Sequence, residues 1–148
     1  MSSRRTAHVL ALALAAGGIT GAVAVPATAT TVARSPITLG AIQYDSPGRD
    51  DRSQRSLNAE WVTVTNTGSG AVNLRGWTLT DRSRHTYTFG GLRLAGHQSV
   101  RVHTGIGRDS GHDVHQNRRD YVWNNSGDTA TLRDNHQHVV ATRSWGRR

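Results

Sequence analysis

From residue 37 onward, apolar and polar positions alternate in short bursts, and each burst is closed by Gly, Asn, Asp or Ser. Residues 37–42 read as a first strand, followed by a polar loop over 46–58 that contains Pro47-Gly48 and mixed charges. Residues 60–65 alternate with period two, and 66–70 turn the chain. Residues 72–74 lead into a further strand over 77–80, and strands are also predicted over 85–89, 99–103, 121–123, 129–132 and 138–141, with 90–96 as a connection and 105–117 as a polar, mobile loop. After residue 32 no stretch keeps a 3.6-residue apolar period across ten residues. About seven to nine short strands with frequent turn signals predict an all-β sandwich or barrel. Its expected core is Trp61 or Val62/Val64, then Leu74, Trp77/Leu79, Phe89, Leu94, Val100/Val102, Trp123, Leu132 and Val139. With 35% of residues apolar, that core is thin and depends on its large rings.

The first 29 residues follow a different pattern. Arg4 and Arg5 precede a small, almost unbroken apolar run over 9–25, and Pro26 to Ala29 offers an A-x-A cleavage site. This order predicts a secretory signal peptide over 1–29, cleaved after Ala29. The run is shorter and less apolar than the ~20 residues a spanning helix needs, so no membrane span is expected after processing. Thr6, Ala7 and His8 follow the arginine pair where a twin-arginine signal wants apolar residues, which favours the general secretory route. Residues 30–36 read as a linker and 37–148 as one domain.

Cysteine is absent, so neither disulfides nor thiolate metal or redox sites are available. All 18 basic residues are arginine, and the net charge is +8. Such a surplus favours acidic partners, although the arginines are scattered and form no block.

The segment LNAEWVTVTNTGSGAVNLRGWTLTD, residues 57–81, resembles the opening of a lamin-tail domain. The resemblance continues through Tyr87 to Phe89, Leu94 and Gly96, the Val100/Val102 strand, Trp123-Asn124-Asn125 with Gly127-Asp128, and Leu132 with Asp134, spanning residues 37–145. It implies an immunoglobulin-like β-sandwich, as in secreted bacterial lamin-tail proteins, where the domain often accompanies hydrolases or surface modules. It does not imply a nuclear filament protein, because no heptads are sustained. The resemblance gives structural roles to Glu60, Trp61, Asn66, Gly76, Trp77, Asp81, Trp123, Asn124, Asn125, Gly127 and Asp128. Within that set Gly76-Trp77 forms a bend that lays the indole over the core, and Glu60 and Asn66 tie loops. One departure stands out: where the family has a glycine before its last strand, this chain has Asn135 to His138.

Three groups carry candidate chemistry. Asp45, Asp50, Asp51, Asn58 and Glu60 supply oxygen ligands suited to Ca²⁺, while the interleaved Arg49, Arg52 and Arg55 argue for a solvated loop of surface ion pairs. His112/His115 and His136/His138 have ligand-like spacings, with His97 and His103 nearby in sequence, but no His-Glu-x-x-His pattern accompanies them. Arg118 and Arg119 beside Tyr121 and Trp123, and Trp145 beside Arg147 and Arg148, set guanidinium forks next to rings. No nucleophile elbow or phosphate-cradling loop is present.

The expected function is therefore an exported, monomeric, non-enzymatic binding module without a cofactor. Its expected partner is an anionic polymer, nucleic acid or wall polymer, met by Arg108, Arg118, Arg119, Arg147 and Arg148. Two alternatives stay open: a metal-dependent phosphoester hydrolase built on His112, His115, Asp50 and Asp51, and an envelope structural protein that binds another protein.

Overall fold

In a computed structural model of the chain, residues 34–146 are described. The expected leader, residues 30–33 of the expected linker, and Arg147 and Arg148 lie outside them. The elements run β1 (Ile37–Gln43), α1 (Gln54–Asn58), β2 (Trp61–Asn66), β3 (Val72–Asn73), β4 (Thr78–Thr80), β5 (Thr86–Thr88), β6 (Arg93–Leu94), β7 (Ser99–His103), β8 (Asp113–His115), β9 (Gly127–Arg133) and β10 (Val139–Gly146). They form an immunoglobulin-like β-sandwich. One sheet has the order β1-β2-β7-β8, the other β10-β9-β4-β5, and β3 and β6 make a separate ribbon. All pairings are antiparallel except β7–β8.

Strict alternation decides which residues enter the core. In β2 the buried set is Val62, Val64 and Asn66, which leaves Trp61 on the outer face. Ile37, Leu39, Val100, Val102 and Val114 join from the first sheet, and Leu79, Ala130 and Leu132 from the second. Leu94 of β6 adds to the core, and Leu74, Trp77, Phe89, Val122 and Trp123 fill the space from the connections. Val139, expected inside, is 53% exposed. The β9–β10 register shifts between Val139 and Ala141, which takes Val139 off the inward face.

Three local expectations are corrected. The loop over 46–58 contains α1, whose N-cap Ser53 accepts the Ser56 N–H at 3.2 Å and whose Leu57 is buried. The loop over 105–117 contains β8, an edge strand parallel to β7. Residues 121–123 form no strand, because the Val122 and Trp123 amides are taken by a side chain, Glu60. Gly76 adopts φ +77° just before buried Trp77, a conformation that a side chain would strain.

The first and last described strands lie beside one another without a ladder. Arg143 donates from Nη1 to the Gly40 carbonyl at 2.8 Å, and the Tyr44 and Trp145 rings stack at 5.0 Å. No helix among the described residues is long and apolar enough to cross a membrane.

Candidate binding surface at the loop end

Glu60 organises one end of the sandwich. It follows α1 directly and has no exposed surface. Its Oε1 accepts from Thr104 Oγ1 at 2.5 Å, from the Val122 amide at 2.9 Å and from the Trp123 amide at 3.3 Å. Oε2 has no hydrogen-bond partner. Burial pushes this carboxyl up to about 7, against the opposing pull of the Thr104 hydroxyl and the two amides.

The segment that Glu60 anchors then docks on α1. The Tyr121 hydroxyl lies 2.7 Å from Ser56 Oγ, and Arg52 Nε donates to Asp120 Oδ1 at 3.0 Å. A hollow of about 590 Å³ opens beside it, lined by His85, Asn117, Arg118, Arg119, Asp120 and Tyr121. Arg118 reaches from Nη2 to the Thr86 carbonyl at 3.4 Å, and so covers one acceptor of the β5 edge. Arg119 is exposed and has no salt-bridge partner among the described residues. A second hollow of about 410 Å³ includes Arg49, Asp51, Ser53 and Arg55 in its wall. Both hollows use α1 or the segment docked on it, which brings Arg52 next to Asp120. Arg108 is exposed in the connection from β7 to β8, next to Asp109.

The oxygen ligands weighed for calcium are employed separately. Glu60 turns inward. Asp51 accepts the Ser53 amide at 2.9 Å, and its bonds to Ser53 hold its carboxyl below the usual range. Asn58 donates from Nδ2 to the Ile106 carbonyl at 2.9 Å. Asp45 accepts from Asn125 Nδ2 at 2.9 Å. Asp50 is exposed. Among the described residues no group of three or more His, Cys, Asp or Glu is placed to hold a metal ion. His112, His115, Asp50 and Asp51 therefore form no such group.

Three of these histidines pair with carboxylates instead. His115 Nδ1 faces Asp109 Oδ1 at 3.1 Å, and its ring stacks on His103 at 5.1 Å. His103 contacts the Asn58 carbonyl at 2.7 Å through Nδ1 and Asp113 Oδ1 at 2.9 Å through Nε2. His138 faces Asp134 at 3.1 Å, and His136 lies beside it with ring centroids 6.1 Å apart.

The remaining motif residues hold loops. Asn66 donates from Nδ2 to the Gly70 carbonyl at 2.7 Å and to the Leu94 and Ala95 carbonyls at 3.2 Å, while Oδ1 accepts the Gly68 amide. Buried Asp128 accepts amides from Arg82, Asn124 and Thr129. Asp81 accepts the His85 amide at 2.6 Å. Thr104 joins this system from just after β7, Ser56 from α1 and Arg52 from just before it, and no local signal in the sequence marks Thr104 or Ser56.

A family model described as Lamin Tail Domain matches residues 30–147. The chain belongs to this family. A search of curated proteins found no match. The loop contacts made by Glu60, Asn66, Asp81 and Asp128 thus serve a lamin-tail sandwich. In this lamin-tail domain the open chemistry lies on the surfaces that the sandwich presents.

Proposed function

We propose that this lamin-tail domain is an exported, non-enzymatic binding module, and that its partner is a phosphate-bearing polymer, nucleic acid or wall polyphosphate. The observation that carries the reading is the Arg52–Asp120 pair beside the hollow of Arg118 and Arg119. Arg52 neutralises the one carboxylate in that wall, which leaves two guanidinium forks facing an open cleft. Guanidinium groups keep their charge at any physiological pH and match phosphate oxygens bidentately. Arg108, Arg147 and Arg148 extend the basic surface in this proposal.

The test is binding of the chain to labelled DNA and to polyphosphate across a salt series. Affinity should fall steeply with salt, and Arg118→Ala with Arg119→Ala should lower the slope for DNA by about 2, one phosphate contact each. Failure to bind either polymer at low salt would discard the reading. The envelope-protein alternative draws less support, because Ile106 and Val139 are the large apolar side chains left exposed among the described residues. The hydrolase alternative has no cluster of ligands behind it.

A further inference from the structure

The outer face of the β1-β2-β7-β8 sheet carries a third, chemically different hollow. Its volume is about 390 Å³, and Trp61, Thr63, Ser99, Arg101, His112 and Asp113 contribute to its wall. That volume lies within the range of small-ligand sites. On the β1 side the wall is formed by the small side chain of exposed Ala41. The β1–β2 register shifts between Leu39 and Ile42, and the position facing Thr63 and Thr65 is Gly40. A Cβ at Gly40 would come within 3.3 Å of Thr65 Oγ1 and 3.4 Å of Thr63 Cγ2.

Trp61 is the unusual member. Val62 and Val64 supply the core from β2, so the fold does not need an indole on the outer side. The Arg101 guanidinium lies over this ring, 4.7 Å from its centroid. This cation–π contact ties the two side chains together, and Arg101 has no salt-bridge partner among the described residues. Around this pair stand the Thr63 hydroxyl, the Ser99 hydroxyl, which already shares a hydrogen bond with Thr65 Oγ1 at 2.8 Å, exposed His112, and Asp113, whose Oδ1 is held by His103.

We propose that this face binds a neutral saccharide, one or two pyranose units of a glycan. A sugar presents alternating donors and acceptors at its rim and C–H groups on its faces. The hollow supplies the complement: donors from Arg101, an acceptor in Asp113, hydroxyls that do both, and an apolar wall from the indole. A phosphate polymer fits poorly, because the Asp113 carboxylate faces it and one guanidinium is too little charge. An apolar peptide fits poorly too, because one ring is the only large apolar group in the wall. This proposal does not depend on the arginine hollow at the loop end.

The experiment is a titration of the chain, followed by amide chemical shifts, with cellohexaose and with chitohexaose, alongside hexagalacturonate and inorganic polyphosphate. The expected result is that a neutral hexasaccharide moves the resonances of 41, 61, 63, 99–101, 112 and 113. Arg101→Gln and Trp61→Thr should each weaken that binding at least tenfold. Because Trp61→Thr could disturb the sheet, Ala41→Arg serves as a second variant: it fills the hollow from an exposed position and removes no contact. Arg118→Ala should leave saccharide binding unchanged. The proposal is overturned if neither neutral hexasaccharide binds, if binding survives both Arg101→Gln and Ala41→Arg, or if only the anionic probes move these resonances.

Discussion

Thr104 donates its hydroxyl to Oε1 of Glu60 at 2.5 Å, across 44 residues of sequence. The other two donors to that oxygen are backbone amides. This arrangement makes the domain's stability depend on one proton. Glu60 holds its proton in the folded state up to about pH 7, whereas its ordinary value is 4.5. Between those values the folded chain binds a proton that the unfolded chain has released, so stability falls as pH rises through that window and levels off above it. The full difference is on the order of 3 kcal/mol. Urea unfolding at pH 4.5 and pH 8 should show that loss in the native chain, and Glu60→Gln should lack it. Equal pH dependence in the two proteins would refute the assignment.

Thr104→Val should act on the same proton. Removing the hydroxyl leaves the carboxylate with one donor fewer and should cost about 1–2 kcal/mol at pH 8, where Glu60 is ionised. At pH 4.5 the loss should be clearly smaller. A cost that is equal at both values would mean that packing, not the hydrogen bond, sets the effect.

Asn66 faces three carbonyls through one amide nitrogen, which makes Asn66→Asp a sharp test. The substitution is nearly isosteric, but it turns a buried donor into an acceptor or a charge opposite three acceptors. A loss of at least ~3 kcal/mol is expected, well above the cost of a typical surface change. Asn66→Asp with native stability in chemical denaturation would show that Nδ2 and Oδ1 are exchanged relative to these bonds.

The last hairpin offers a stabilising substitution. Gln137 takes φ +66° in the turn before β10, a region that favours glycine. Its bonds there are made by the backbone: its N–H donates to the Asp134 carbonyl at 3.0 Å, and its carbonyl accepts from Arg133 at 3.3 Å. Gln137→Gly should relieve about 1 kcal/mol of backbone strain and raise Tm by a few degrees. A lower Tm would show that the glutamine side chain contributes more than the turn costs.

Much of this fold is legible in the chain because alternation and turn residues act locally. Val62, Val64, Leu79, Leu132, Val100 and Val102 reveal their inward direction through their neighbours alone. Val139 misleads because a one-residue shift in pairing reverses which face a side chain takes. The strand expected over 121–123 misleads for a different reason. Its residues have the right types, yet their amides are claimed by Glu60, more than 60 residues earlier. Val114 sits in a loop of glycines and polar residues, and becomes core only because β7 provides a template for a parallel edge. The candidate sites follow the same division. Arg118 and Arg119 can be named from sequence, but the Arg52–Asp120 pair beside them cannot. The Trp61–Arg101 pair depends on the β2–β7 register, which places Arg101 opposite Thr63.

The juxtaposition of β1 and β10 also has a mechanical meaning. Gly40 meets Arg143 and Tyr44 meets Trp145, so the two strands run the same way, and Ile37 and Gly146 point out of opposite ends of the sandwich. A pull applied at those two points would load the strands in shear, with the Arg143 bond and the aromatic stack strained together rather than peeled one after another. Resistance of that kind is governed by the unfolding barrier rather than by equilibrium stability. A domain strung between two anchors would then hold under tension longer than its thin core suggests.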